Sequence, residues 1–330
     1  MPRGRPSLEA ILDRVDEQVG LFHANYGGLP RAVEADQILR EIWIEDTYHS
    51  SALEGNPLSK RQVARILEEG RVSGPLTESL EIEGYGKAAQ WVYAEAANYK
   101  RVKGVPLGVI QTVHRLLLGP AWAVSPPDDG STAGGWRKRG MKITGSKVRT
   151  TPPLAIDGAI QDWIDQSAAG VPDDKHPLVN ASHMHAWFER IHPFADGNGR
   201  SGRLILNFML IQLGYPPAVL VLTTRKKYLE ALARADSRSD GALTELIARA
   251  IESSLNKFLI PSLAGDARLV PLAALAEGSE FTSDYLRTLV ASDRLHAVRE
   301  GRIWLSSRVA LQEYRDSRSR RGRKPANGAS

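Results

Sequence analysis

The chain has 330 residues, with 43 lysines and arginines against 38 aspartates and glutamates, and it contains no cysteine. This length suffices for about two domains, and the lack of cysteine excludes disulfides and thiolate metal sites. No signal-peptide pattern opens the chain, and the longest apolar run, residues 204–213, is far too short to span a bilayer. We therefore expect a cytoplasmic protein that does not enter a membrane.

Residues 1–110 are predicted to form an N-terminal helical region. Apolar residues recur at helical spacing in residues 8–25 and 35–53. The second helix should close at Gly55, which can adopt the left-handed conformation, and Pro57 prevents its continuation. Glu54 then lies at a helix C-terminus, where the helix dipole disfavours a negative charge. On these residues alone, a functional role for Glu54 and a solvated or locally paired carboxylate are equally supported.

Further helices follow along the chain. Ser59 and Gln62 have the spacing of a capping box that starts a helix. Helical periodicity also predicts helices over residues 78–100, 106–118, 157–168, 177–191 and 242–258. His114 is interpreted as a packing residue with no ligand role. Residues 134–153 have a different sequence pattern, in which β-branched residues alternate around glycines. This pattern predicts a hairpin.

Residues 192–203 carry the chemistry, and they read His-Pro-Phe-Ala-Asp-Gly-Asn-Gly-Arg-Ser-Gly-Arg. Gly197 and Gly199 permit a tight turn whose backbone N–H groups can form an anion-binding nest. The apolar run that follows predicts a buried helix. Arg200 and Arg203 then lie in or near its first turn, where N–H groups and guanidiniums can bind phosphate oxygens.

Two further side chains of this run suit phosphate transfer. Asp196 can hold a Mg²⁺ ion that keeps most of its ligands as water and phosphate, and His192 can accept a proton from an attacking hydroxyl. The run lacks the order of a P-loop. The alternative is a glycine-rich helix entry whose arginines pair with carboxylates.

At every specified position the run matches the Fic-domain signature H-P-F-x-[DE]-G-N-G-R-x-x-R, and the chain resembles that family from about residue 35 to 257. The resemblance implies a mainly α fold, with a Fic catalytic core at residues 111–260. It implies transfer of AMP from Mg·ATP to a Ser, Thr or Tyr hydroxyl of a target protein or of the chain itself. His192 would be the general base and Asp196 the metal ligand.

The resemblance also assigns the nucleotide site and the regulation. Arg200 would lie near the β-phosphate and Arg203 on the γ-phosphate, in a set that binds ATP: Gly197, Asn198, Gly199, Arg200, Ser201, Gly202, Arg203 and Tyr228. For Tyr228, packing alone is equally supported. Ser50, Glu54 and Gly55 resemble the inhibitory motif [ST]-x-x-x-E-[GN], which implies an inhibitory helix at about 35–55 whose Glu54 pairs with Arg203 and occupies the γ-phosphate site.

The hairpin at 134–153 is, by the same resemblance, a flap that docks the target segment through main-chain hydrogen bonds. Its docking residues would be Met141, Lys142, Ile143, Thr144 and Gly145. From the pattern alone, an ordinary surface hairpin is the alternative.

After a hinge predicted at residues 261–265, residues 266–315 loosely resemble a winged helix-turn-helix domain. Short helices are predicted at 270–276 and 282–292, a hairpin at 296–305 and a last helix at 307–314. Residues 265–330 hold 12 basic and 8 acidic residues, a surplus of four out of the chain's five net charges. This resemblance implies DNA contacts from a recognition helix and a wing, whose side chains would be Thr282, Ser283, Tyr285, Arg287, Arg299 and Arg302.

Several alternatives stay open. The C-terminal domain could instead dock protein or form a homodimer, and residues 316–330 are predicted to be a disordered basic tail. The Fic domain could transfer γ-phosphate from an inverted nucleotide, as in Doc-like chemistry, or act as the nucleotide sensor of a DNA-binding regulator. The intact Arg203 favours AMP transfer.

Overall fold

The computed structural model describes residues 6–27, 33–70, 74–98, 104–141, 149–235, 241–264, 269–277, 279–292, 294–300 and 303–322. Within these residues the protein is mainly helical, as predicted. It divides into two compact units, Met1–Phe258 and Leu259–Ser330. None of the helices in the described part of the chain is long and apolar enough to cross a membrane.

The first unit begins with four helices: α1 (Leu8–Tyr26), α2 (Val33–Leu53), α3 (Lys60–Glu69) and α4 (Leu76–Asn98). These agree closely with the helices predicted for the N-terminal region. The capping box of α3 is confirmed, since the Ser59 side chain accepts from Gln62 N and the Gln62 side chain accepts from Ser59 N. Gly55 follows the end of α2 with φ 98°, the left-handed conformation expected there.

Six further helices complete the first unit or lead out of it: α5 (Leu107–Val124), α6 (Ile156–Ala169), α7 (Pro177–Ile191), α8 (Asn198–Gln212), α9 (Arg225–Ala235) and α10 (Gly241–Ala264). Helix α7 has the predicted bounds. Helix α5 runs past its predicted end at residue 118 and continues through Pro120, because Ala121 is packed into the core.

Helix α8 is the centre of this unit. It is buried on all sides, as expected for a helix that is apolar around its whole circumference, and α4, α5 and α7 pack against it. Helices α4 and α5 approach closely at Gly84, where a Cβ would lie 2.0 Å from Leu117 O. The 192–203 signature thus joins the end of α7 to the start of the most buried helix.

The predicted flap is described only at its two ends. Lys142, Ile143, Thr144 and Gly145 lie outside the described residues, so the hairpin stays a prediction. The two ends do meet, since Thr150 Oγ1 donates to Met141 O at 2.7 Å.

The second unit contains a small antiparallel sheet of order β1-β3-β2. Its elements are β1 (Val270–Pro271), α11 (Leu272–Ala276), α12 (Ser283–Ala291), β2 (Val298–Glu300), β3 (Ile303–Ser306) and α13 (Arg308–Gly322). The helix predicted at 270 begins two residues later because Val270 and Pro271 pair with β3. The order of the helices and strands in the second unit is the one expected for a winged helix-turn-helix domain. The assignment to that domain type stays a prediction.

Two predicted boundaries here are wrong. Residues 261–264 are the last residues of α10, so the hinge expected at 261–265 is helical up to Ala264. Helix α13 continues to Gly322, so the first seven residues of the predicted disordered tail are helical. The body of α13 is fixed by packing of Leu311 and Tyr314 in the core of the second unit, and the helix extends from there.

Candidate active site

His192 lies at the end of α7 and is, among the described non-glycine residues, the single one with positive φ (53°). Its Nδ1 lies 3.1 Å from Glu189 O. Because a carbonyl oxygen can only accept, we place the imidazole proton on Nδ1, which leaves the Nε2 lone pair for a general base. Burial lowers the pKa of His192, the Glu189 carbonyl opposes this, and the charge of Arg137 lowers it further. The imidazole is therefore neutral near pH 7.

The loop between α7 and α8 is held together by Asn198. Its buried side chain accepts from Phe194 N and donates to Phe194 O, both at 2.8 Å. The side chain of Asn198 is thus committed to the loop, and what this residue offers a phosphate is its backbone N–H. Gly197 precedes α8 with φ 71°, and the first-turn N–H groups that follow have no partner within a helix.

Arg200 is buried between two carboxylates. Its Nη1 lies 3.0 Å from Glu81 Oε2 and its Nη2 lies 3.4 Å from Asp196 Oδ2. The guanidinium expected near the β-phosphate therefore pairs with protein side chains in this structure. Glu81 lies on α4 and also lies 3.5 Å from Asn56 Nδ2, in the segment that follows α2.

Arg203 is bound by α2 and by the turn after it. Its Nε donates to Ser50 Oγ at 2.7 Å, and its Nη2 donates to Ser50 O and Glu54 Oε1, both at 2.9 Å. The expected ion pair with Glu54 is therefore present. Burial opposes the ionisation of Glu54, but the charge of Arg203 prevails and its pKa is lowered. The Glu54 side chain is 41% exposed, so water reaches the pair from one side.

A buried polar cluster lies along α2 close to this ion pair. Asp46, one turn before Ser50, accepts from Tyr85 Oη at 3.2 Å, Tyr93 Oη at 2.7 Å and Asn207 Nδ2 at 3.3 Å. Burial raises the pKa of Asp46 to about 6, although its hydrogen bonds and the charge of Arg203 oppose this. These bonds attach α2 to α4 and α8.

Tyr228 and His185 form a second buried pair. Tyr228 Oη lies 2.7 Å from His185 Nε2, and His185 Nδ1 lies 3.2 Å from Gly202 O. Burial, with the charge of Arg203, lowers the pKa of His185 to about 3, so Nδ1 donates to the carbonyl and Nε2 accepts from the phenol. Tyr228 is buried, which favours the packing alternative in this structure.

The last signature residues before Arg203 are packing positions. Ser201 is fully buried, and a Cβ on Gly202 would lie 2.1 Å from Glu189 Oε1. Burial raises the pKa of Glu189 to about 7, while the charge of Arg203 opposes this. Within the described residues, Glu189 Oε1 and Ser201 Oγ have no hydrogen-bond partner.

Besides Glu81, the structure brings His114 and Arg137 to the site, and the sequence analysis assigned none of the three to it. His114 is fully buried, accepts from Gly134 N at 2.7 Å, and donates from Nε2 to Asp196 O at 3.0 Å. Its ring stacks on Phe194 with centroids 3.8 Å apart. Arg137 donates from Nε to His192 O at 2.7 Å. Both residues reach the site through backbone groups, and such partners leave no mark in a sequence.

Asp196 fits the Mg²⁺ role in its chemistry. Its side chain is 62% exposed, and Oδ1 accepts from Gly197 N at 2.6 Å, which fixes the carboxylate while leaving oxygen lone pairs open. No group of three or more potential ligand side chains is present in the described ranges. A single exposed carboxylate suits an ion whose other ligands are water and nucleotide phosphate.

Comparison with known proteins gives a consistent result. Residues 105–210 match the family model described as Fic/DOC family. The chain is 30% identical over 255 residues to a protein adenylyltransferase Fic of Culex quinquefasciatus, covering 75% of this chain and 47% of that protein. It is 26% identical over 268 residues to a protein adenylyltransferase Fic of Nematostella vectensis, covering 78% and 58%. The chain thus spans about half the length of these curated relatives.

Solved structures agree on the fold. Fic-1 of C. elegans superposes with a TM-score of 0.67 at 25% identity, covering 78% of this chain and 73% of that one. A Fic family protein from Desulfovibrio desulfuricans has a TM-score of 0.57 at 20% identity and covers 92% and 97%. The second likeness concerns the fold alone.

Proposed function

The chain carries a Fic domain of the Fic/DOC family, and from this premise we propose that it is a protein adenylyltransferase. It transfers AMP from Mg·ATP to a Ser, Thr or Tyr hydroxyl of a target protein or of itself, in the cytoplasm. The observation that carries the proposal is that one loop joins His192, whose Nδ1 lies 3.1 Å from Glu189 O, to the first turn of α8, the helix that carries Arg203.

The reaction follows from these parts. His192 Nε2 takes the proton of the target hydroxyl as its oxygen attacks the α-phosphorus, and the bond from that phosphorus to the departing pyrophosphate breaks. The first-turn N–H groups of α8 and Arg203 bind the phosphate oxygens. A Mg²⁺ ion held by Asp196 supplies charge neutralisation when bound. Catalysis comes from positioning and from charge stabilisation.

The same geometry supports autoinhibition by Glu54. A carboxylate and a γ-phosphate compete for one guanidinium, and in this structure the carboxylate holds it at 2.9 Å. Ser50 holds the other edge of Arg203 through Nε. ATP could bind in its productive orientation once Glu54 has left Arg203.

The test is intact-mass analysis after incubation with Mg·ATP, in the presence and absence of cell lysate. We expect Glu54→Gly to gain the mass of AMP on itself or on a lysate protein, and Glu54→Gly/His192→Ala to gain none while still binding ATP. Glu41→Ala, at an exposed position of α2, removes a carboxylate without placing glycine inside a helix; it is the control and should behave as wild type. A phosphate-sized gain would support Doc-like transfer instead, and no gain at all would support nucleotide sensing alone.

For the second unit we propose a DNA-binding role as the second candidate function. The exposed wing favours it: Arg299 lies over the Trp304 ring at 5.8 Å, and Ile303 and Trp304 are exposed. On α12, Arg287 pairs with Asp284 at 2.9 Å. Arg302 lies outside the described residues.

Binding of the full chain to random-sequence duplex DNA would test this candidate by fluorescence anisotropy over a salt series. We expect affinity that falls steeply with salt, and a weaker slope for Arg299→Ala. Absence of binding at low salt, with dimerisation seen by sedimentation, would favour the homodimer alternative.

A further inference from the structure

Arg137 makes contacts that the proposed chemistry does not yet use. The side chain is 3% exposed, and its guanidinium donates to His192 O from Nε at 2.7 Å, to Arg139 O from Nη1 at 2.8 Å and to Thr151 O from Nη2. Its backbone N–H donates to Pro193 O at 2.9 Å. One residue therefore contacts the peptide groups at the candidate base and both described ends of the predicted flap.

The acceptors of this guanidinium are all carbonyl oxygens in the described part of the chain. A buried cation without a carboxylate partner costs free energy, and burial lowers the pKa of Arg137, although a guanidinium stays charged at neutral pH. An uncharged amide could join two loops without that cost. The charge has one evident effect nearby, which is to help lower the pKa of His192.

The hydrogen bond from Arg137 Nε to His192 O also bears on the backbone conformation of His192. A left-handed backbone costs a non-glycine residue free energy and persists when surrounding contacts fix it. The carbonyl that accepts from Arg137 Nε is that of His192 itself, and the left-handed backbone of this residue sets the direction of its imidazole. Displacing that peptide group would move Nε2 relative to the first turn of α8.

We propose that Arg137 is a positioning residue that joins the base of the flap to His192, so that a target segment docked on the flap and the base that activates its hydroxyl share one rigid contact. The proposal rests on the proposed adenylyltransferase function for its catalytic consequence. It predicts that loss of the three-way contact lowers the transfer rate and leaves ATP binding intact.

The experiment compares Arg137→Lys and Arg137→Met in the Glu54→Gly background. Lysine keeps the charge and cannot form the planar fork, whereas methionine removes both. We expect kcat for AMP transfer to fall about 10²-fold in both variants. The Kd for Mg·ATP should stay within about twofold of the parent value. Arg65→Met, at an exposed position of α3 outside the flap, is the control for loss of a basic side chain and should retain the parent rate.

A second readout requires no transfer. The Cε1–H resonance of His192, assigned by its loss in His192→Ala, reports its titration, and the charged groups acting on it are Arg137, Glu54 and Asp196. We expect the midpoint to rise by about half a pH unit or more in Arg137→Met and to stay near the parent value in Arg137→Lys. Thermal unfolding of each variant shows whether it is folded.

The outcomes separate the two proposals. If Glu54→Gly transfers no AMP to any protein, the proposed function fails, and the His192 titration alone decides the role of Arg137. A midpoint that does not move in Arg137→Met overturns the proposal. So do transfer rates within twofold of the parent, or a rate loss matched by an equal loss of ATP affinity.

Discussion

The Glu54 carboxylate lies directly against Gly199: a Cβ on residue 199 would come within 2.4 Å of Glu54 Oε1 and 3.0 Å of Arg203 Nη1. The carboxylate therefore fills the space at the first turn of α8 in addition to pairing with Arg203. Two kinds of competition with ATP follow from one side chain, since Glu54 occupies both the volume and the positive charge that a γ-phosphate requires.

Glu54→Gln separates these two effects. Glutamine keeps the volume and can still accept a hydrogen bond from Arg203, but it lacks the negative charge. We expect a transfer rate roughly tenfold above wild type and well below that of Glu54→Gly, because a neutral hydrogen bond is weaker than a charge-assisted one. Initial rates with labelled ATP measure this. A rate equal to that of Glu54→Gly would show that occupied volume contributes nothing.

Ser50→Ala should partly release Arg203. The change removes the acceptor of Arg203 Nε, a hydrogen bond to a charged group worth about 1.5–3 kcal/mol, while the bonds to Ser50 O and Glu54 remain. We expect AMP transfer above wild type, by several-fold. Ser51→Ala is the control, because Ser51 Oγ is buried without a hydrogen-bond partner among the described residues. An unchanged rate in Ser50→Ala would contradict a role in holding Arg203.

Asp46→Asn should change how stability depends on pH. The pKa of Asp46 is raised in the folded state to about 6, so its contribution to stability is full below the unfolded pKa near 4 and is lost as pH rises through 6. Relative to Asp46→Asn, the wild type should lose up to about 3 kcal/mol between pH 4 and pH 8. Urea unfolding at several pH values measures the difference. Parallel pH profiles would show that folding does not raise the pKa of Asp46.

Asn198→Ala should destabilise the signature loop. It leaves the buried N–H and C=O groups of Phe194 without their partners, which costs about 2–6 kcal/mol for the two groups together. We expect a clear drop in Tm and loss of AMP transfer in the Glu54→Gly background. Asn25→Ala, at an exposed position of α1, should change neither. Retained stability in Asn198→Ala would mean that the loop is fixed by other contacts.

Local sequence rules predicted local structure well. The spacing of apolar residues gave the bounds of α7, and the Ser59–Gln62 pair gave the start of α3. The helix end predicted at residue 118 and the hinge predicted at 261–265 were wrong, because α5 continues through Pro120 and α10 continues through Pro261. These failures moved helix ends and left the order of elements intact.

The site was predictable only where a motif was available. Glu54 and Arg203 lie 149 positions apart, and their pairing was expected because both match family motifs. Glu81, His114 and Arg137 reach the signature from distant segments, through one carboxylate and several backbone carbonyls. No pattern in the sequence marks a carbonyl as an acceptor, so these contacts required the fold.

Helix α2 is both the carrier of Glu54 and a part of the interior. Ile42, Trp43 and Leu53 are buried, and burying each side chain stabilises the fold by roughly 1.5–3 kcal/mol. At the end of α2, Leu53 O accepts a hydrogen bond from Arg225 Nε at 2.9 Å. Moving the whole helix away from the interior would lose this burial and this hydrogen bond. Moving the Glu54 side chain into solvent breaks a single, partly exposed ion pair. Under the proposed autoinhibition, activation would therefore require only the Glu54 side chain to leave Arg203 while α2 stays in place, and an activator would have only to compete for that side chain.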